Sequence, residues 1–149
     1  MELNIKKFEE LTTNELYMIL KARTDVFVVE QNCPYPELDN LDQSSLHLYC
    51  GSNSNIGAYL RIIPKGVKYK DAVAIGRVLV VEKHRRNGIA REMMEKALEF
   101  ITEVIKEETI KIQAQVYLKS FYQSLGFEQI SDIYEEDSIP HIDMLLKQH

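Results

Sequence analysis

No apolar run in this sequence approaches ~18 residues, the length at which a helix spans a bilayer, so hydropathy gives no membrane-spanning helix. Basic charge is not in excess either: 18 Lys plus Arg stand against 23 Asp plus Glu, a net charge of −5. That balance opposes a general role on nucleic acid or on an anionic membrane surface. Cysteine is scarce. Cys33 and Cys50 have no metal-ligand spacing, so both read as reduced thiols, and no metal is expected. Low-complexity runs, linker-like segments and solenoid-period repeats are also missing. Residues 1–149 therefore read as one domain, long enough to close a single hydrophobic core. The N-terminal Met-Glu-Leu-Asn-Ile-Lys-Lys lacks the apolar centre of an export signal, which makes a cytoplasmic protein the expectation.

Apolar spacing supplies the elements. Residues 3–8 alternate as a strand, and Thr12 or Thr13 with Glu15 in the first turn starts a helix running to about Glu30. Leu16, Ile19, Leu20, the stem of Arg23 and Phe27 follow the i, i+3, i+4, i+7 spacing of a face packed on a sheet. Asn32-Cys33-Pro34-Tyr35-Pro36 ends that helix, because each proline excludes the residue before it from helical geometry. Residues 45–50 and 56–63 around Gly51-Ser52-Asn53-Ser54-Asn55 predict a hairpin, and residues 71–81 extend it to a meander. A helix over about 87–107 follows, with Ile89, Met93, Ala97, Phe100, Ile101 and Val104 on one apolar face. Its methionines read as core. Residues 110–116 predict a strand and 118–125 a short helix closed by Gly126 as a left-handed cap. Residues 127–130 and 139–146 are the last strands, around an acidic turn Glu135-Glu136-Asp137-Ser138. This order describes an α/β fold, a mixed sheet flanked by helices.

The stretch from Val78 to Ala90, Val-Leu-Val-Val-Glu-Lys-His-Arg-Arg-Asn-Gly-Ile-Ala, runs from an apolar strand through a basic turn into a helix that opens at glycine. Arg85-x-x-Gly88-x-Ala90 after a strand end aims free backbone N–H groups at one point, and the positive end of the helix dipole adds to them. Lys83, His84, Arg85, Arg86 and Arg91 form a local basic spot suited to one compact polyanion such as pyrophosphate. A solvated basic helix cap would have the same spacing, and the two readings stand level on these residues alone. Gly-x-Gly-x-x-Gly after a first strand is absent, as is the Lys-Ser/Thr of a P-loop, so neither nucleotide-binding class fits.

Val78-Leu79-Val80 with Arg85-Arg86-Asn87-Gly88-Ile89-Ala90, and further on Gln115-x6-Tyr122-x3-Gly126-Phe127, resemble the two cofactor motifs of the GNAT superfamily of acetyl-CoA-dependent N-acetyltransferases. Three more stretches resemble its small bacterial ElaA-like branch: Arg23-x-x-Val26-Phe27-Val28-Val29-Glu30-Gln31-Asn32-Cys33-Pro34-Tyr35, Ala114-Gln115-x-Tyr117-Leu118-x-x-Phe121-Tyr122, and Glu136-Asp137-x-Ile139-Pro140-His141-Ile142-x-Met144. Together they cover nearly the whole chain. The resemblance implies the GNAT-type acyl-CoA N-acyltransferase fold, a central mixed and mostly antiparallel twisted sheet flanked by helices. It implies acetyl-CoA as co-substrate without a metal, and direct transfer of acetyl to a primary amine of a small molecule or peptide. A homodimer is common among such proteins. Ala90 stands where the superfamily most often has glycine and is still small enough for close backbone approach. Gln115 stands where asparagine is most frequent, with the same amide on a longer stem.

The resemblance gives Val78, Leu79 and Val80 the pantetheine arm, with an N–H near Val80 facing the developing oxyanion. It gives Arg85, Arg86, Asn87, Gly88, Ile89, Ala90 and Arg91 the pyrophosphate, and Gln115 a pantetheine contact. Tyr122 matches a tyrosine beside the thioester sulfur, placed to protonate the leaving thiolate; by spacing alone, Phe121 and Tyr122 read as core aromatics. A primary ammonium, with a pKa of about 10, must lose a proton before it attacks. Glu30, at the helix end beside Gln31 and Asn32, and His141, beside Pro140 in a strand, are the candidate bases. Their plain alternatives are a solvated glutamate and a structural histidine. His47 reads as structural and Arg77 as a buried ion-pair partner. Glu135, Glu136 and Asp137 are a surface turn or a lure for a cationic amine. Cys33 is not required as a nucleophile in direct transfer, and no Cys-His-Asp order accompanies it. A module that binds or senses acyl-CoA without turnover is the second reading. Arg23-x-x-Val26-Phe27 also resembles the first helix of acyl-homoserine-lactone synthases, against which the intact Arg85-to-Ala90 turn and the short chain argue.

Overall fold

Three consecutive strands form an antiparallel meander in the sheet. β2 (Leu46–Ser52) and β3 (Asn55–Ile63) form the expected hairpin, and β4 (Val73–Val80) continues the meander. In this computed structural model, which describes residues 2–52 and 54–148, five further strands complete one eight-stranded sheet: β1 (Leu3–Lys7), β5 (Thr109–Gln115), β6 (Glu128–Gln129), β7 (Tyr134–Glu136) and β8 (Ile139–Lys147). Asn53 of the expected hairpin loop lies outside the described residues, as do Met1 and His149. The strand order is β1-β2-β3-β4-β5-β8-β6, with β7 also on β8. Among the described residues every pairing is antiparallel except that of β4 with β5.

Both sheet faces are covered by helices whose starts the sequence marks. α1 (Thr13–Arg23) begins with a reciprocal capping box: Thr12 Oγ1 accepts the Glu15 N–H at 3.0 Å, and the Glu15 carboxylate accepts the Thr12 N–H at 2.8 Å. Its Ile19, Ala22 and the following Val26 pack on Tyr49, Tyr59 and Leu79. α2 (Ile89–Phe100) lays Met93, Ala97 and the following Ile101 on Leu60, Ile75 and Ile112 on the opposite face. The methionines are core, as expected: Met93 and Met94 are both fully buried. α3 (Lys119–Ser124) closes at Gly126, whose φ of +102° lets its N–H reach Gln123 O at 2.9 Å and the Phe127 N–H reach Tyr122 O at 3.1 Å.

Three expectations need correction. The first helix does run to Glu30, but residues Thr24–Glu30 wind in wider π-type turns, with Gln31 N–H on Val26 O at 3.2 Å and Cys33 N–H on Val28 O at 3.0 Å. The second helix widens likewise over Ile101–Ile105, which rotates Val104 off the apolar face and into solvent. Glu135 and Glu136 belong to β7, and the turn is Asp137-Ser138 alone, with φ of +50° and +66°, a two-residue hairpin of the primed kind.

Candidate active site

The site exists because β4 leaves β5. Two pairs join them, Val73 with Ile110 and Ala74 with Lys111, and beyond these the strands diverge. The cause is a bulge in β4: its partners on β3 step from Arg61 opposite Gly76 to Tyr59 opposite Leu79, so Arg77 and Val78 together face Leu60. Arg77 sits at φ +53°, and Glu37 holds it there, accepting Arg77 Nε at 2.8 Å on its carboxylate and Nη2 at 3.0 Å on its carbonyl. Arg77 is thus the ion-pair partner that the sequence suggests.

A cleft of about 1020 Å³ fills the gap, walled by β4 from Gly76 to Val80, by β5 from Ile112 to Gln115, by the widened end of the first helix and by the start of α2. Val81 N–H donates to Gly57 O at 2.9 Å, so the neighbouring pair Ala58 and Val80 is the non-hydrogen-bonded one. The N–H and C=O of Val80 therefore point away from β3, toward the gap.

At one end of the cleft Gly88 caps α2 at φ +75°, and a Cβ placed there would meet no atom within 4 Å. The N–H groups of Ile89, Ala90 and Arg91 in the first turn have no partner within the helix. Arg86, at φ +66°, lines the cleft without an ion pair among the described residues. Arg85 is engaged: its Nε donates to Val80 O at 2.8 Å and its Nη2 meets both Glu30 carboxylate oxygens, at 2.8 and 3.0 Å. Arg91 donates to Ser124 Oγ and lies 5.7 Å over the Phe121 ring. Of the residues expected around a pyrophosphate, Asn87 alone is not in the lining. Those residues fit a diphosphate: an open glycine, a helix start and an unpaired arginine.

The candidate reacting groups lie deeper. Tyr122 is 6% exposed, packed edge-on to Phe121 and Phe127 at 5.2 and 6.0 Å, yet it lines the cleft. Among the described residues its hydroxyl has no hydrogen-bond partner, and burial pushes the phenol well above its ordinary value. His141 Nδ1 lies 2.7 Å from Ile139 O; a carbonyl can only accept, so Nδ1 carries the proton and Nε2 keeps a lone pair. The ring stacks on Tyr134 and lies opposite Gln115, whose Nε2 donates to Gln31 Oε1 at 3.4 Å. Pro140 stands one residue past the last β5 pair, where the missing N–H is tolerated. Glu30 faces the cleft mouth with its carboxylate already on Arg85.

Two residues have roles that periodicity could not give. Arg23 is buried through its guanidinium and not only its stem, bound to Glu37 and Asp42 at 2.7 Å each. Cys33 Sγ–H donates to Asp137 O at 3.3 Å, tying the end of the first helix to the β7–β8 turn. His47 is structural, as expected: Nε2 donates to Asp42 O at 2.9 Å and Nδ1 accepts the Tyr59 hydroxyl at 2.6 Å, while burial pushes its pKa down. Tyr35, Lys68, Tyr69, Lys111 and Gln113 also line the cleft. Tyr35 closes the stretch that begins at Arg23; no motif marks the other four, because they come from a loop and from the polar face of β5.

The family profile described as Acetyltransferase (GNAT) domain matches residues 20–148. ElaA of Escherichia coli is 41% identical over 137 residues, covering 91% of this chain and 89% of that protein. A UPF0039 protein of Schizosaccharomyces pombe is 42% identical over 149 residues, covering 99% and 97%. The crystal structure of Escherichia coli ElaA superposes with a TM-score of 0.91 at 38% identity, over 99% of this chain and 100% of that one. The crystal structure of an acyl-CoA N-acyltransferase from Pseudomonas aeruginosa gives 0.90 at 36% identity, over 98% and 99%.

Proposed function

The chain belongs to the ElaA-like branch of the GNAT acetyltransferase family, and on that premise we propose that it transfers acetyl from acetyl-CoA directly to the primary amine of a small molecule or peptide. The observation that carries this reading is the splay of β4 from β5 with the open, glycine-capped start of α2 at its mouth. The diphosphate is met by Arg86 and the α2 N–H groups, and the arm lies along Val78 to Val80. The thioester supplies the electrophilic carbonyl carbon.

Each remaining requirement has a residue. The Val80 N–H donates to the carbonyl oxygen as negative charge builds there. His141 Nε2 takes the proton that the acceptor nitrogen loses, with Nδ1–H anchored on the Ile139 carbonyl. The C–N bond forms, the C–S bond breaks with its electron pair on sulfur, the neutral Tyr122 hydroxyl protonates the thiolate, and the second proton that nitrogen sheds as the amide forms restores the Tyr122 hydroxyl. Glu30 fixes Arg85 in this scheme and is not the base, since its carboxylate is already shared with a guanidinium.

Purified protein with acetyl-CoA is expected to release CoA when an accepted amine is added, with the N-acetyl product identified by mass spectrometry. A panel of free amines, amino acids, polyamines, amino sugars and N-terminal peptides covers the acceptor classes. Binding of acetyl-CoA without CoA release or product across that panel would replace the transferase by an acyl-CoA-sensing module.

A further inference from the structure

The acceptor side of the cleft has a charge pattern of its own. Lys111, Gln113 and Gln115 of β5 alternate onto one face with Asp143 and His141 of β8, the cross-strand partners of the last two. Across the gap stands Gly76, where a Cβ would meet no atom within 4 Å. Its partner on β3, Arg61, is 1% exposed, and among the described residues the Arg61 Nε has no hydrogen-bond partner. The Tyr69 hydroxyl is buried in the same lining and likewise has no partner among the described residues. Two ammonium groups flank the Tyr69 ring, Lys111 Nζ at 4.4 Å and Lys68 Nζ at 5.5 Å from its centre. Lys68 Nζ also donates to Gln113 Oε1 at 2.8 Å.

Most charges of the lining are already matched. Arg61 and Arg77 pair with Asp39, Asp42 and Glu37, Lys111 with Asp143, Arg85 with Glu30, and Arg91 with Glu95. Among the described residues this leaves two lining cations without a carboxylate, Arg86 at the diphosphate end and Lys68 at the acceptor end. Among the described residues, Glu136 and Asp137 are the lining carboxylates without an ion pair.

We infer that the acceptor is a free amino acid or similar short aminocarboxylate, its carboxylate held by Lys68 Nζ and the Tyr69 hydroxyl and its ammonium drawn to Glu136 and Asp137 beside His141. The inference rests on the acetyl-transfer reading and names the substrate class of that site. A carboxylate satisfies the buried phenol and the unmatched ammonium together. A polyamine would instead bring a second ammonium against Lys68, and a neutral amino sugar would leave Lys68 unmatched. The open space over Gly76 leaves room for the side chain.

The test compares kcat/KM for CoA release with free amino acids, their methyl esters and the corresponding decarboxylated amines. The acid form is expected to exceed its matched ester by about tenfold or more, the ratio that one charge-assisted hydrogen bond gives. Lys68→Met, in an exposed loop, should raise KM for the acid and leave KM for acetyl-CoA unchanged; Tyr69→Phe should lower the acid-to-ester ratio in the same direction. Esters or plain amines used as well as the acids, or a ratio unmoved in both variants, would overturn the acceptor class and leave the transferase standing. Absence of turnover with every amine, despite acetyl-CoA binding, would overturn both.

Discussion

Glu15 accepts hydrogen bonds from the Thr12 N–H, the Tyr49 hydroxyl and the Lys6 ammonium at 2.8, 2.5 and 3.0 Å. Burial pushes its carboxyl up, but the three donors outweigh burial and hold it at about 2, against an ordinary value of 4.5. Between those values the unfolded chain binds a proton that the folded chain does not. The stabilisation is therefore complete above pH 4.5 and is lost as pH falls toward 2. Glu15→Gln should melt at a lower temperature than the parent at pH 7, and the gap should shrink as melts are repeated down to pH 3; a constant gap would show that the charge is not what matters. The spacing of Thr12 and Glu15 made this helix start legible in the sequence. Tyr49 and Lys6 were not, since they arrive from β1 and β2. Tyr122 posed the opposite difficulty: core aromatic and cleft lining are both true of it, so no spacing rule could separate them.

Among the elements, those with a strong local signal were readable to within a few residues, including the meander, α2 and the Gly88 turn. β7 escaped because only Tyr134 and Glu136 alternate before a turn of Asp and Ser, which carries φ above zero without the glycine that usually announces it. The π-type turns escaped too, because apolar periodicity does not report a local change of pitch. Gly88 is the element start on which the cofactor assignment depends, and two substitutions separate its conformation from its open space. Gly88→Ala should cost about 1–2 kcal/mol of stability for the left-handed φ, yet nearly keep CoA affinity, since its Cβ meets no neighbour. Gly88→Glu carries the same strain and adds a carboxylate beside the helix start, so its CoA affinity should fall about tenfold further by calorimetry. Equal affinity of the two variants would move the diphosphate elsewhere.

At the scale of the molecule, three arginines from three different elements meet three carboxylates from one loop. Arg23 of α1, Arg61 of β3 and Arg77 of the β4 bulge share Glu37, Asp39 and Asp42, which all lie between the first helix and β2. No spacing rule marks this loop, because its partners lie far apart along the chain and meet only when the sheet has formed. Burial pushes the Asp42 carboxyl up, and Arg23 and Arg61 more than reverse it, so Asp42 stays charged well below the usual carboxylate range. Removing one member leaves buried charge without compensation, which costs about 3–5 kcal/mol. The two acids differ in reach, however. Asp42 touches Arg23 and Arg61, whereas Glu37 touches Arg23 and also fixes Arg77 at the bulge that opens the cleft. Asp42→Asn and Glu37→Gln should both lower the urea midpoint. At temperatures where both remain folded, only Glu37→Gln should also weaken acetyl-CoA binding, because only there does the bulge lose its charged anchor, the Glu37 carbonyl and Asp39 being left to hold Arg77. Equal weakening by both variants would mean that the splay of β4 is set by the network as a whole and not by the contact between Glu37 and Arg77.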